Sequence, residues 1–389
     1  MDAEYAVIQP DLGKTRTALT AIELLLKKNP NAVILISVPT EVLKEQWISE
    51  LIKRGIFSNC KVEVINTIVK GDWDVDLLVQ DEIHICGSQT YSQIFERVNY
   101  NFILGLTGTL ERLDGKEVLI KQYCPVCDIV TMDEAIKNKW VAPVKEYAVL
   151  LDVDLTEYNE WNRKFNGFFS FFNYDFSLAM NCVKSVIDRR KYAKLLGVKE
   201  SVVTANAMSW MKCLRARKEF IMSHPKKLEV AKKILNARQD KKCIVFCSTI
   251  KDCEKLKMGV VLHSKQKKKQ NAEILTKFNE AETGIISSSR ALNTGVDIKG
   301  LSVGIILNTN SSKIIKVQSR GRVCRFEEGK EAELFTILIK GTQEVTWHAN
   351  ASTGSHYQTI NESQLDKVLA GEIIETRERE NVEDKKFRF

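Results

Sequence analysis

At 389 residues, with 44% hydrophobic and 28% charged content, the chain is too long for one ordinary core and fits a water-soluble protein of two α/β domains plus extra segments. Its longest apolar runs, such as Ala32 to Val38, have strand length, so no membrane span is expected. The formal net charge of +8, with basic clusters at Arg189 to Lys191, Arg215 to Lys218 and Lys265 to Lys269, favours a polyanionic partner.

The start, MDAEYAVIQP, is acidic and lacks a basic segment followed by an apolar one, so no secretory signal is read and a cytoplasmic location is expected. The ten cysteines are scattered and are expected to be reduced. Cys124 and Cys127 form a lone C-x-x-C with no second ligand pair nearby, read as ordinary packing.

In chain order, residues 1–145 alternate β-rich apolar runs with amphipathic helices. Strands are predicted at Ala6 to Gln9, Ala32 to Val38, Lys61 to Ile65, Leu77 to Gln80 and Phe102 to Leu106, with helices at Thr15 to Lys28 and Glu41 to Arg54. Repeated βα winding of this kind gives a doubly wound parallel sheet. Residues 146–240 read as a helical connector or insertion carrying the aromatic run Phe168, Phe169, Phe171, Phe172, Tyr174 and Phe176. These rings have two readings: a helix-packing core, or exposed groups that stack bases or split a duplex. Residues 241–341 resume the β pattern at Cys243 to Cys247, Val260 to His263, Gly284 to Ser287, Val303 to Leu307 and Glu333 to Ile339, predicting a second α/β lobe. In that lobe Lys265 to Lys269 read either as a phosphate-tracking cluster or as a solvated helix start. Residues 342–389 form a charged tail, expected to hold a helix or two.

Two segments carry chemistry. Pro10-Asp11-Leu12-Gly13-Lys14-Thr15 lies between the first strand and the first helix, where backbone N–H groups and the helix dipole can cradle phosphates. Lys14 is expected to reach the β and γ phosphates of ATP and Thr15 to hold Mg²⁺. The full glycine-rich pattern is not met, since Ile8 and Asp11 stand where glycines are usual. Sixty-six residues beyond Thr15, the strand Leu77 to Gln80 ends in Asp81-Glu82-Ile83-His84. A strand's C-terminal tip is where such a sheet places metal and substrate. Asp81 is expected to hold Mg²⁺ through water and Glu82 to take a proton from the attacking water, while the two adjacent carboxylates need a cation to relieve their repulsion.

D-E-x-H after a G-K-T loop resembles the ATPase core of superfamily 2 helicases, and five further segments resemble that family's motifs in order. Val38-Pro39-Thr40 with the helix through Trp47 is similar to the first DNA-contacting motif, and Leu106 to Arg112 to the segment that couples hydrolysis to strand binding. Ile244 to Ser248 resembles the fourth motif, Ala291 to Ile298 the fifth, and Gln318 to Arg325 the sixth, Q-x-x-G-R-x-x-R. The resemblance covers about residues 5 to 340 and implies two RecA-like lobes that close on one ATP and Mg²⁺.

The resemblance also implies roles for single residues. Arg322 and Arg325 act as arginine fingers, and Gln318 faces the ATP site beside His84. Leu12, Gly13, Gly295 and Asp297 line the nucleotide site. Pro39, Thr40, Thr107, Thr109 and Thr294 touch nucleic acid. Glu111 to Glu117 and Trp140 to Pro143 are similar to the branch holding XPB-like helicases, type III restriction subunits and phage branch-migration helicases, which favours DNA over RNA. Family members carry an upstream adenine-reading segment, and about ten residues stand before this loop, so weak discrimination among nucleotides is expected.

The expected function is an ATP-driven DNA helicase or translocase of phage or viral origin, serving replication, recombination or repair. The alternatives are a translocating subunit that does not unwind, an RNA helicase, and a binding module that does not hydrolyse ATP. Protein partners and oligomeric state are not read from the sequence.

Overall fold

The computed structural model describes residues 13–108, 115–130, 134, 137–138, 140, 143–263, 265–289, 298–309, 332–352 and 356–373, with the backbone of 4–8. The first sheet is built from β1 (Glu4–Ile8), β2 (Ile34–Val38), β3 (Cys60–Val64), β4 (Trp73–Asp81), β5 (Val98–Thr107) and β6 (Val126–Val130), in the order β3-β2-β4-β5-β1-β6. Every neighbouring pair in it is parallel. Helix α1 (Lys14–Lys28) follows β1, and α2 (Glu41–Lys53) follows β2. Short helices α3 (Ile65–Ile68), α4 (Ile94–Arg97) and α5 (Glu117–Tyr123) complete the windings.

Both faces of this sheet are covered, which explains the continuous apolar runs in its strands. On one face Ala18, Leu19 and Ile22 of α1 and Trp47 and Leu51 of α2 share a core with Ile34, Ile36, Leu77, Val79 and Leu106. On the other, Leu78, Ile83, Ile94, Ile103 and Ile120 form a separate core. Register brings the strand ends to one edge: Val7 of β1 pairs with Thr107 of β5, and Asp81 of β4 pairs with Leu106. The C-terminal edge therefore carries the start of α1, the Asp81-Glu82 pair and Thr107 together.

A second sheet contains β7 (Val144–Leu151), β8 (Lys242–Cys247), β9 (Val260–His263), β10 (Gly284–Ser289), β11 (Leu301–Ile306), β12 (Ala332–Ile339) and β13 (Gln358–Asn361), in the order β13-β7-β12-β11-β8-β10-β9. Strand β8 pairs in parallel with β10 and β11, and β10 with β9. The fold is thus α/β with two RecA-like lobes. Three strands stand outside those read from the sequence: β6, whose side chains are mostly exposed, the short polar β13, and β7, an apolar run that extends into the segment read as helical from residue 146.

Between β7 and β8 run α6 (Thr156–Ser170), α7 (Phe176–Lys184), α8 (Val186–Leu196), α9 (Glu200–Ser223) and α10 (Pro225–Asn236). Helices α11 (Ile250–Leu256) and α12 (Lys268–Glu280) lie between later strands, and α13 (Gln343–Ala351) and α14 (Glu362–Leu369) follow β12 and β13. The chain divides into two compact units, one of Met1–Tyr147, Arg238–Phe335 and Trp347–Tyr357, the other of Ala148–Ala237, Thr336–Thr346 and Gln358–Phe389.

In the second unit most of the aromatic run is core. Phe165, Phe169, Phe172, Tyr192 and Trp210 are buried together, with Phe169 stacked on Trp210 at 5.6 Å and Phe172 on Tyr192 at 5.8 Å. Tyr174 and Phe176 are half exposed. Part of the basic charge is spent on structure as well: Arg189 donates to the Cys182 carbonyl at the end of α7, and the Arg217 guanidinium lies 4.2 Å from the centre of the Phe165 ring. The same unit holds a fully buried ion pair, Lys227 Nζ to Glu344 Oε1 at 2.6 Å, whose other oxygen accepts from the Ile339 N–H.

In the first unit Glu333 on β12 is gripped by Arg238, Nε to Oε2 at 2.7 Å and Nη2 to Oε1 at 2.9 Å. Burial would raise the Glu333 carboxyl, but this two-point bond outweighs it and holds the group below its ordinary 4.5. A carboxyl depressed by folding stabilises the protein above its unfolded value and loses that contribution as pH falls through its folded value. Glu333→Gln is expected to cost about 3 kcal/mol at neutral pH. Thermal unfolding measured from about pH 6 down to pH 3 should show the difference from wild type shrinking with acid.

Candidate active site

Helix α1 opens at Gly13, whose φ of 85° lies in the left-handed region that glycine tolerates without strain. No side chain caps this helix and its first turn holds no acid, so its leading N–H groups and positive dipole end suit a phosphate. Lys14 is the first helical residue, and its Nζ lies 2.6 Å from Glu82 Oε1, with both side chains more than four-fifths buried. Thr15 is half buried beside it. A groove of about 480 Å³ continues from Gly13 past Arg16, Thr17, Thr20, Ala21 and Leu24.

Across the edge, Asp81 ends β4 and Glu82 turns the chain with φ 52° and ψ 51°. A non-glycine residue in this region carries strain, which here aims the Glu82 carboxylate at Lys14. Each Asp81 oxygen is held by one donor: Oδ1 accepts from the Glu82 N–H at 3.0 Å and Oδ2 from the Trp47 indole Nε1 at 3.0 Å. His84 Nδ1 sits 3.2 Å from Glu82 Oε2 and 3.1 Å from Thr107 Oγ1, so the ring joins the acidic turn to the end of β5.

Charge divides the two carboxyls. Burial pushes Asp81 above the ordinary carboxylate range, with Lys14 opposing this and the Glu82 charge adding to it. Burial acts on Glu82 too, but the Lys14 ammonium and the His84 bond outweigh it and hold Glu82 at about 2. The cation needed to relieve the acidic pair is therefore supplied by Lys14. Two adjacent carboxylates and a hydroxyl are hard oxygen donors of the kind Mg²⁺ prefers, so the residues fit a magnesium nucleotide.

The geometry brings Gly13, Lys14, Asp81, Glu82, His84 and Thr107 to one edge. Thr107 is fully buried and its Oγ1 lies 3.1 Å from His84 Nδ1. Pro39 and Thr40 are partly exposed where β2 passes into α2, and Thr40 Oγ1 caps α2 by accepting from the Leu43 N–H at 3.4 Å. Leu12, Thr109, Thr294, Gly295, Asp297, Gln318, Arg322 and Arg325 lie outside the described residues. Sequence reasoning missed the bonds from Trp47 to Asp81 and from His84 to Thr107; these partners are 34 and 23 positions apart, and nothing in their spacing signals contact.

Comparison with known proteins gives these groups their context. Residues 226–327 match the helicase conserved C-terminal domain. The DNA 3'-5' translocase XPB2 of Sulfurisphaera tokodaii is 26% identical over 358 residues, an overlap covering 86% of this chain and 77% of that protein. The chain thus carries a segment similar to the C-terminal domain of helicases and a long overlap with a DNA translocase. A putative ATP-dependent RNA helicase of African swine fever virus, QP509L, is 33% identical over 141 residues, covering 30% of this chain and 26% of that protein. The helicase domain of Pyrococcus furiosus Hef superposes with a TM-score of 0.56 at 15% identity, covering 90% of this chain and 94% of that structure. Burial holds the Cys60 thiol near 11 and Cys243 near 12, as suits inert packing groups. Among the described residues no helix is long and apolar enough to cross a membrane.

Proposed function

We propose that this chain is an ATP-driven DNA translocase or helicase, hydrolysing ATP between the start of α1 and the Asp81-Glu82 turn. The observation that carries this reading is the direct Lys14–Glu82 pair at the C-terminal edge of a doubly wound sheet, with Asp81 and His84 fixed beside it. Paired to Lys14, Glu82 is a weak base, being held near 2. Phosphates arriving at the α1 N-terminus compete for the Lys14 ammonium, and drawing it off Glu82 raises the basicity of that carboxylate. The resting pair thus keeps the base quiet until substrate is present, and Glu82 then takes the proton of the attacking water. Thr15 and Asp81 would hold Mg²⁺, which would supply positive charge to the phosphates. Arg322 and Arg325 are assigned to the transition-state charge and Gln318 to the ATP site. The groove along α1 has the volume a nucleoside needs.

DNA is favoured over RNA because the long alignment is to a DNA translocase, whereas the RNA helicase match covers under a third of this chain. The helical segment Thr156–Ser223 holds twelve Lys and Arg against six Asp and Glu, most of the chain's net +8, which suits a phosphate backbone. Segments 1–145 and 241–341 are assigned as the two motor lobes, 146–240 as the connector and 342–389 as the tail.

Two assays run side by side test the output. Translocation predicts that ATP drives release of a triplex-forming oligonucleotide from duplex DNA, and a helicase also separates a forked duplex. Triplex release alone assigns the chain as a translocase without unwinding. Failure of both, with RNA duplexes separated instead, would overturn the DNA assignment.

A further inference from the structure

We propose that Trp47 is a positioning residue of the ATPase, its indole N–H fixing the Asp81 carboxylate for Mg²⁺ and tying that carboxylate to the helix that opens at Pro39-Thr40. The inference rests on the ATPase reading above.

Trp47 is 1% exposed and Asp81 6% exposed, and they meet through a 3.0 Å hydrogen bond. Indole is donor-only, neutral at every physiological pH and too large to swing once buried. It can therefore orient a carboxylate without competing for the metal, as a histidine in its place would. With Oδ1 taken by the Glu82 N–H and Oδ2 by Trp47, the carboxylate plane is set from both sides. A charge-assisted bond of this kind in a dry site is of the stronger class. Phenylalanine would keep an aromatic ring in the core with Leu51, Leu77 and Val79 but leave Asp81 one donor short.

Position makes the bond more than local. Trp47 stands seven residues, about two turns, after the Thr40 cap of α2, and a helix of that length moves as a rigid rod. A shift imposed at Pro39-Thr40 is thus delivered to Asp81 through one hydrogen bond, a contiguous link between the assigned nucleic-acid contact and the metal carboxylate.

The test compares Trp47→Phe with Leu51→Ala, a cavity in the same core that leaves the indole in place. Trp47→Phe is expected to raise the Mg²⁺ concentration for half-maximal ATP hydrolysis about tenfold, the size of one lost charged hydrogen bond, and to weaken DNA stimulation. Leu51→Ala should lower thermal stability without moving the Mg²⁺ dependence. A wild-type dependence in Trp47→Phe, or an equal shift in Leu51→Ala, overturns the proposal. Should Trp47→Phe fail to fold, the wild-type protein carries the test. Of its six tryptophan indole ¹H–¹⁵N signals, one should broaden on adding Mn²⁺ with ADP and none on adding ADP alone. No broadening in a protein that binds Mn²⁺ and ADP rejects the role of Trp47 and leaves the ATPase reading standing. A wild-type protein that neither binds nor hydrolyses nucleotide rejects that reading instead.

Discussion

Lys14→Ala is expected to remove DNA-stimulated phosphate release by a factor on the order of 10³ and to weaken nucleotide binding with it, because one ammonium serves both. The resting structure adds a second consequence. Lys14 is the largest influence opposing burial at Glu82, so without it the Glu82 carboxyl loses its main reason to stay ionised and rises from about 2. The variant therefore loses the phosphate anchor and leaves a buried carboxyl beside His84. Phosphate release and equilibrium binding of a fluorescent ATP analogue, measured on the same preparation, check both halves. Normal binding with lost turnover would mean that Lys14 acts in the chemical step alone.

Glu82→Gln should separate the two functions. Glutamine keeps the size of the side chain and an oxygen for Lys14, but it cannot take a proton. Binding of magnesium ATP and of DNA should stay near wild type while turnover falls about 10²- to 10⁴-fold, the usual worth of a positioned general base. The measurement is single-turnover hydrolysis beside nucleotide binding. Residual turnover within threefold of wild type would assign the proton transfer elsewhere.

Much of this site was legible in the sequence because its parts sit at strand ends, where periodicity breaks. Lys14 and Thr15 follow a strand and open a helix, and Asp81-Glu82 closes the apolar run of β4; both places are readable from a local pattern. Most strands were found by their apolar runs; β6 and β13 were not, and neither was β7, an interior strand whose apolar half falls where the helical connector was read. The interactions that tune the site were not legible. The strained turn at Glu82 and the bonds from Trp47 and His84 depend on register between β4 and β5 and on the seating of α2, which no single stretch encodes. The same holds for the aromatic run, whose composition fits a core or a stacking surface equally. Packing around Trp210 decides for the core at Phe169 and Phe172 and leaves Tyr174 and Phe176 half exposed.

The central claim is that a lysine and a glutamate paired at one sheet edge hydrolyse ATP in answer to nucleic acid. Steady-state phosphate release by the wild-type protein, with and without single-stranded or duplex DNA, tests it most directly. Turnover is expected to rise at least tenfold on adding DNA, in the range of about 1 to 10³ per second common to enzymes. Release that is absent with every polynucleotide, or the same with and without DNA, would contradict it.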